Sequence, residues 1–269
     1  MKKNILVAFL AISALGITSC NKDVEPMKFT DQSTLAFGVS NLMTKGLFEI
    51  FAYEEYISTK IAKGETLEQT VEILKNTAGD TVGWKSGFRS EDTFLKDSIT
   101  VTFDGSLLDN DVVKTIDCSK IAISKSTLKF FGTINVTNNS TSDTETSRTV
   151  ETNMFGWGEE SNDLSLNAIY TFDIQYSNGL INDWKITGGA LSGNHSEYGL
   201  FSQIVTNELT AGVYRLASDD YNYYYFASGS MVLTAPLFGG SASPISVVFA
   251  QDTKTVTYLE ESITYPFYY

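Results

Sequence analysis

The stretch AIYTFDIQYSNGLINDWKI, residues 168–186, decides how most of the chain is read. Ala168, Tyr170, Phe172, Ile174 and Tyr176 alternate with Ile169, Thr171, Asp173 and Gln175, the period of a half-buried strand. Asn178-Gly179 tolerates the positive φ angles of a tight type I′ turn, and Trp184 and Ile186 then resume the alternation. This is a β-hairpin, and it sets the pattern for the residues around it.

Working outward, Ile99, Val101 and Phe103 alternate with Ser98, Thr100 and Thr102, and Leu128, Phe130, Ile134 and Val136 alternate with Lys129, Thr133 and Asn135. Further strands are expected near 146–157, 197–206, 212–217, 221–234, 245–250 and 254–269. About ten short strands separated by turn residues imply an antiparallel β-sandwich or barrel. Asn138 to Ser147 is rich in Ser, Thr and Asn and reads as an exposed loop.

Before residue 83 the period changes. From Ser33 to Lys63, Leu35, Val39, Leu42, Met43, Leu47, Phe48, Ile50, Phe51, Ile57 and Ile61 recur at three- and four-residue spacing, with Lys45, Glu49, Glu54 and Glu55 between them. That is an amphipathic helix, with Gly46 a candidate break, and its charges exclude a transmembrane span. Thr66 and Gln69 resemble a capping box opening a second short helix through Val71, Ile73 and Leu74. The fold expected is therefore mainly β (α+β), an N-terminal helical hairpin followed by an antiparallel sandwich or barrel. The segments are 1–19 as a signal peptide, 20–32 as a tether, 33–76 as the helical part and 83–269 as the β domain.

At the N-terminus Lys2 and Lys3 precede an apolar run from Ile5 to Ile17, which is signal-peptide order. The run is shorter than the ~20 apolar residues that a membrane-crossing helix needs. It ends in Ile17-Thr18-Ser19-Cys20, which resembles the lipobox of bacterial lipoproteins. The resemblance implies cleavage before Cys20 and acylation of that cysteine, and two or more acyl chains anchor a protein stably where one does not. Asn21, Lys22, Asp23, Val24 and Glu25 follow, similar to the export signal of surface lipoproteins of the Bacteroidota. The implied location is the outer membrane, lipid-anchored and facing the exterior. Asp80-Thr81-Val82 and Asp97-Ser98-Ile99 resemble the Asp-Ser/Thr-aliphatic O-glycosylation site of exported proteins in that group, which makes Thr81 and Ser98 candidates.

Removal of residues 1–19 leaves 17 of the 19 basic residues against 32 acidic ones, a formal charge of −15. Such a charge opposes a nucleic-acid partner. Cys118 is the sole cysteine left besides Cys20, so no internal disulfide is available. His195 lies in Gly193-Asn194-His195-Ser196-Glu197 with no nucleophile framed beside it, and no catalytic residue is assigned. Asp109-Asn110-Asp111 and Asp219-Asp220 lack the spacing of a calcium loop, so no metal or cofactor is expected.

The aromatic content, 14 Tyr, 17 Phe and 3 Trp, is the main functional hint. In Asp219 to Phe226, alternation puts Tyr221, Tyr223 and Tyr225 on one face and Tyr224 and Phe226 on the other. Exposed rings stack on the apolar faces of sugars, so these three tyrosines, with Trp157 and Trp184, are the candidate ligand-binding residues. The terminal run Ile263, Tyr265, Phe267 and Tyr269 resembles the closing strand of outer-membrane barrels, against which stand Pro266 and the polar alternate faces of the strands. The function expected is a non-catalytic binding or interaction module whose partner is a glycan or an envelope protein. The alternatives are a glycan-acting hydrolase and a structural subunit of an envelope or fimbrial assembly.

Overall fold

The computed structural model describes residues 29–67, 70–88, 95–107, 109–123, 126–142, 145–159, 163–177, 180–215, 222–235, 244–250, 253–258 and 261–266. Among the described residues one long helix comes first, made of α1 (Phe29–Asn41), a π-helical segment (Leu42–Phe48) and α2 (Glu49–Lys63). Gly46 does not break it. A Cβ there would come within 2.8 Å of the Phe130 ring, so glycine is what lets the sheet approach the π segment. The helix stops at Gly64, whose left-handed φ of 65° lets its N–H reach the Lys60 and Ile61 carbonyls, while Lys60 and Lys63 complement the dipole of the last turn.

No second helix follows. Val71, Ile73 and Leu74 lie in β1 (Val71–Lys75), paired with β2 (Thr81–Gly87), so the expected helical hairpin is corrected to a single helix. Three apolar residues in five fit either period, and the pairing with β2 settles the matter in favour of the strand.

The remaining strands are β3 (Leu95–Phe103), β4 (Val113–Asp117), β5 (Ile121–Ile123), β6 (Lys129–Thr141), β7 (Glu145–Gly158), β8 (Leu164–Ser177), β9 (Leu180–His195), β10 (Gly199–Arg215), β11 (Asn222–Thr234), β12 (Ile245–Ala250), β13 (Thr253–Tyr258) and β14 (Glu261–Pro266). They form one antiparallel meander from β1 to β14, with β5 off the path against β3 and β6. The two strands of the hairpin read first are present, Ser177 pairing with Leu180, while the expected turn at Asn178-Gly179 lies outside the described residues. The stretch expected as a loop at 138–147 is largely strand. Asn138 is buried there, donating to the carbonyls of Leu107 and Asp109.

A twisted sheet of more than ~10 strands curls or splits, and this one curls around the helix in a barrel-like wrap. Helix residues meet strands from both halves of the meander. Tyr53 contacts Ser86 on β2, Glu55 contacts Arg148 on β7, Phe48 contacts Phe226 on β11 and Asn41 contacts Lys254 on β13. Bulges supply the curvature: β6 shifts register between Phe131 and Thr133, where Gly132 has a φ of 81° that disfavours any side chain.

The core is therefore coaxial with the helix, and it is dominated by rings. Phe48 and Phe51 pack against Phe172 and Trp184 at centroid separations of 5.1–5.6 Å, and Phe48 also meets Phe226 edge-on. The outward positions Glu151, Asn153, Asn167, Gln175, Ser192 and Asn194 are exposed. A barrel spanning lipid has the reverse pattern, an apolar outward band. Of the terminal run, Ile263 and Tyr265 lie in β14, whereas Phe267 and Tyr269 fall outside the described residues. No helix among the described residues is long and apolar enough to cross a membrane.

Candidate functional site

The most concentrated chemistry in the described residues is a buried ionic cluster that joins the helix to the sheet. Glu54 and Glu55 are consecutive on α2, Lys114 is on β4 and Arg148 on β7, and each side chain is at most 2% exposed. Lys114 Nζ donates to Glu54 and to Glu55 Oε1, both at 2.9 Å. Arg148 Nε donates to Glu55 Oε1 at 2.7 Å, while its Nη1 donates to the carbonyls of Ser140 and Ser147. Ser58 Oγ donates to Glu54 Oε1 at 2.6 Å and accepts from Trp84 Nε1 at 3.1 Å.

Burial opposes charge on both carboxylates, and the cations decide between them. At Glu55, Lys114 and Arg148 together outweigh the loss of water and hold the carboxyl at about 2. At Glu54 burial outweighs Lys114, and the charge of Glu55 adds to it, so its pKa is raised. Two neighbouring carboxyls pushed in opposite directions are the form that acid/base pairs take in enzymes. Here both are enclosed between helix and sheet, and the arrangement clamps α2 to β4 and β7.

Sequence reasoning missed this cluster, although a signal was present. Lys114 is in phase with Ile116, and Arg148 with Val150, so each charge stood at an inward position of an alternating strand. A third buried cation, Lys254 on β13, places Nζ 3.9 Å over the Phe37 ring and 3.4 Å from Asn41 Oδ1.

The residues singled out from sequence are scattered over the fold. Trp184 is 1% exposed, inside the ring cluster, and is corrected from a candidate binding residue to core. Trp157 is half-buried on β7, its ring 6.1 Å from that of Phe130 at the edge of the core. Tyr223 and Tyr225 lie in β11, opposite Tyr214 and Gly212 of β10 respectively. Phe226 of the same strand is fully buried. The pairing of Tyr214 with Tyr223 is one that sequence reasoning did not place. Tyr221, Asp219 and Asp220 lie outside the described residues, as do Cys20 and the segment 21–28.

Thr81 opens β2 and Ser98 lies in β3, both half-buried. His195 ends β9, where its Nδ1 accepts from the N–H groups of Glu197 and Tyr198 and its ring stacks on Tyr198 at 4.5 Å. Partial burial lowers its pKa against the opposing charges of Glu197 and Asp163, and the ring serves to shape a turn. Cys118 is buried and its thiol is pushed far up by desolvation and then by Asp117, so it is not nucleophilic. Asp111 donates its N–H to Asn138, and among the described residues no three His, Cys, Asp or Glu side chains converge as a metal site. No protein-family model, curated protein or solved structure matches this chain.

Proposed function

We propose that this chain is a lipid-anchored lipoprotein of the cell envelope, displayed outward, whose β domain binds a partner rather than transforming one. The observation that carries this reading is Ile17-Thr18-Ser19-Cys20 at the end of a short basic-then-apolar leader, with the first described helix starting at Phe29, nine residues further on. A polar outward sheet face fits a domain held in water above a membrane, and a closed ring core clamped by buried ion pairs fits a rigid scaffold. A glycan is the ligand class favoured by the tyrosines of β10 and β11, because flat rings stack on sugar faces while Asn and Asp take the hydroxyls.

The test is metabolic labelling with palmitate followed by fractionation. The wild-type chain should carry label and sediment with membranes. Cys20→Ala should carry none, because the thioether requires the thiol, and normal labelling of that variant would overturn the proposal.

A further inference from the structure

The connectivity of the meander sorts its turns into two ends along the helix. At the start of α1, Tyr198 shares a side-chain hydrogen bond with Thr34, and Leu164 at the head of β8 lies against Gly38. The β9–β10 turn and the β7–β8 connection are therefore at this end. At the other end Glu55 meets Arg148 near the head of β7, and Trp184 near the start of β9 pairs with Ala211 of β10, beyond which the β10–β11 hairpin continues. The β3–β4 loop belongs here too, since Asn138 binds the carbonyls of Leu107 and Asp109. From Asp31 to Glu55 the helix rises roughly 35 Å, at about 1.5 Å per residue.

We infer that the end around the β9–β10 turn lies against the bilayer, and that the Tyr214–Tyr223 end of the β10–β11 hairpin is the one presented away from it. This rests on the proposed acylation of Cys20. Nine residue steps separate Cys20 from Phe29, and such a length reaches at most about 30 Å even fully extended. The helix start is thus kept within about that distance of the lipid surface, and the inferred orientation puts the far end a further helix length above it.

One feature of the near end agrees with this orientation. Leu200, next to the β9–β10 turn, is 58% exposed, more than any other large hydrophobic side chain among the described residues. Its removal from water at a lipid interface is favourable. The occupant of the Leu200 rim is accordingly the bilayer that holds the anchor, and a ligand-binding surface is expected at the opposite end, where Tyr214 of β10 pairs with Tyr223 of β11.

The experiment uses the full acylated chain in phosphatidylcholine vesicles with and without a nitroxide-headgroup phosphatidylcholine. Acylation blocks Cys20 and Cys118 is buried, so a bimane reporter goes to an introduced thiol: Leu200→Cys or Glu197→Cys at the near end, Asp109→Cys at the far end. Quenching by the nitroxide is expected at positions 200 and 197 and absent at 109. Equal quenching at both ends, or quenching at 109 alone, would overturn the orientation while leaving the anchor intact. A purified chain whose mass lacks acyl groups would instead refute the anchor, and the orientation with it.

Discussion

Removing one carboxylate from the buried cluster should cost far more than removing the other. Glu55 sits between Lys114 and Arg148, so Glu55→Gln removes the carboxylate that both cations share at a site only 2% exposed, leaving Lys114 its contact with Glu54 and Arg148 its contacts with the carbonyls of Ser140 and Ser147. Breaking a buried ion pair by deleting one partner costs about 3–5 kcal/mol. A domain of this size shifts its melting temperature by about 2–4 °C per kcal/mol, so a fall of roughly 6–20 °C is expected. Glu54→Gln should be much milder, because the raised pKa of Glu54 means that its charge is disfavoured in the folded state and Lys114 keeps Glu55. The assay is a far-ultraviolet circular dichroism melt at neutral pH. The pH dependence has a definite sign. Glu55 is depressed from 4.5 to about 2, so its contribution is present above the unfolded value and is lost as pH falls through that window. Glu54, being raised, contributes the opposite slope, so the acid loss should be steeper in Glu54→Gln than in wild type. Equal melting temperatures for Glu55→Gln and wild type would refute the placement of that carboxylate between the two cations.

Trp184→Ala should cost about 3–5 kcal/mol by leaving a cavity among Phe48, Phe51 and Phe172, measured by urea unfolding. A loss under about 1 kcal/mol would place the indole at the surface. Tyr223→Ala with Tyr225→Ala should move stability by less than about 0.5 kcal/mol each while abolishing retention on a glycan array, and a large destabilisation would make those residues scaffold. Replacing Lys22, Asp23 and Glu25 together with Ala should leave palmitate labelling intact and lower cleavage by protease added to whole cells. Unchanged cleavage would remove that segment as the export signal. Native mass in excess of the acylated polypeptide by whole sugar residues is expected if Thr81 or Ser98 is O-glycosylated, and its absence excludes both.

Alternation made the sheet legible. Tyr170, Phe172, Ile174, Trp184 and Ile186 face the core as their phase required, because one wetted and one buried face impose a period of two. The same logic could have removed Trp184 from the binding candidates, since it is in phase with Ile186. The helix was legible from its apolar spacing, but its enclosure was not. Glu49, Glu54 and Glu55 looked like a solvent face, and they are buried because partners from β4, β7 and other strands surround the helix, information that spacing along one element does not hold. Val71, Ile73 and Leu74 were ambiguous for a physical reason: a five-residue segment is too short for the helical and strand periods to diverge. The partner of the tyrosine run was not legible: only the strand register pairs Tyr214 with Tyr223.

The most direct measurement is mass spectrometry of the N-terminal tryptic peptide from protein extracted out of membranes. The account predicts a peptide that begins at Cys20 and carries a diacylglyceryl thioether, with a further acyl chain on its amino group. A peptide that begins upstream of Cys20, or one that begins at Cys20 with a free thiol, would contradict it.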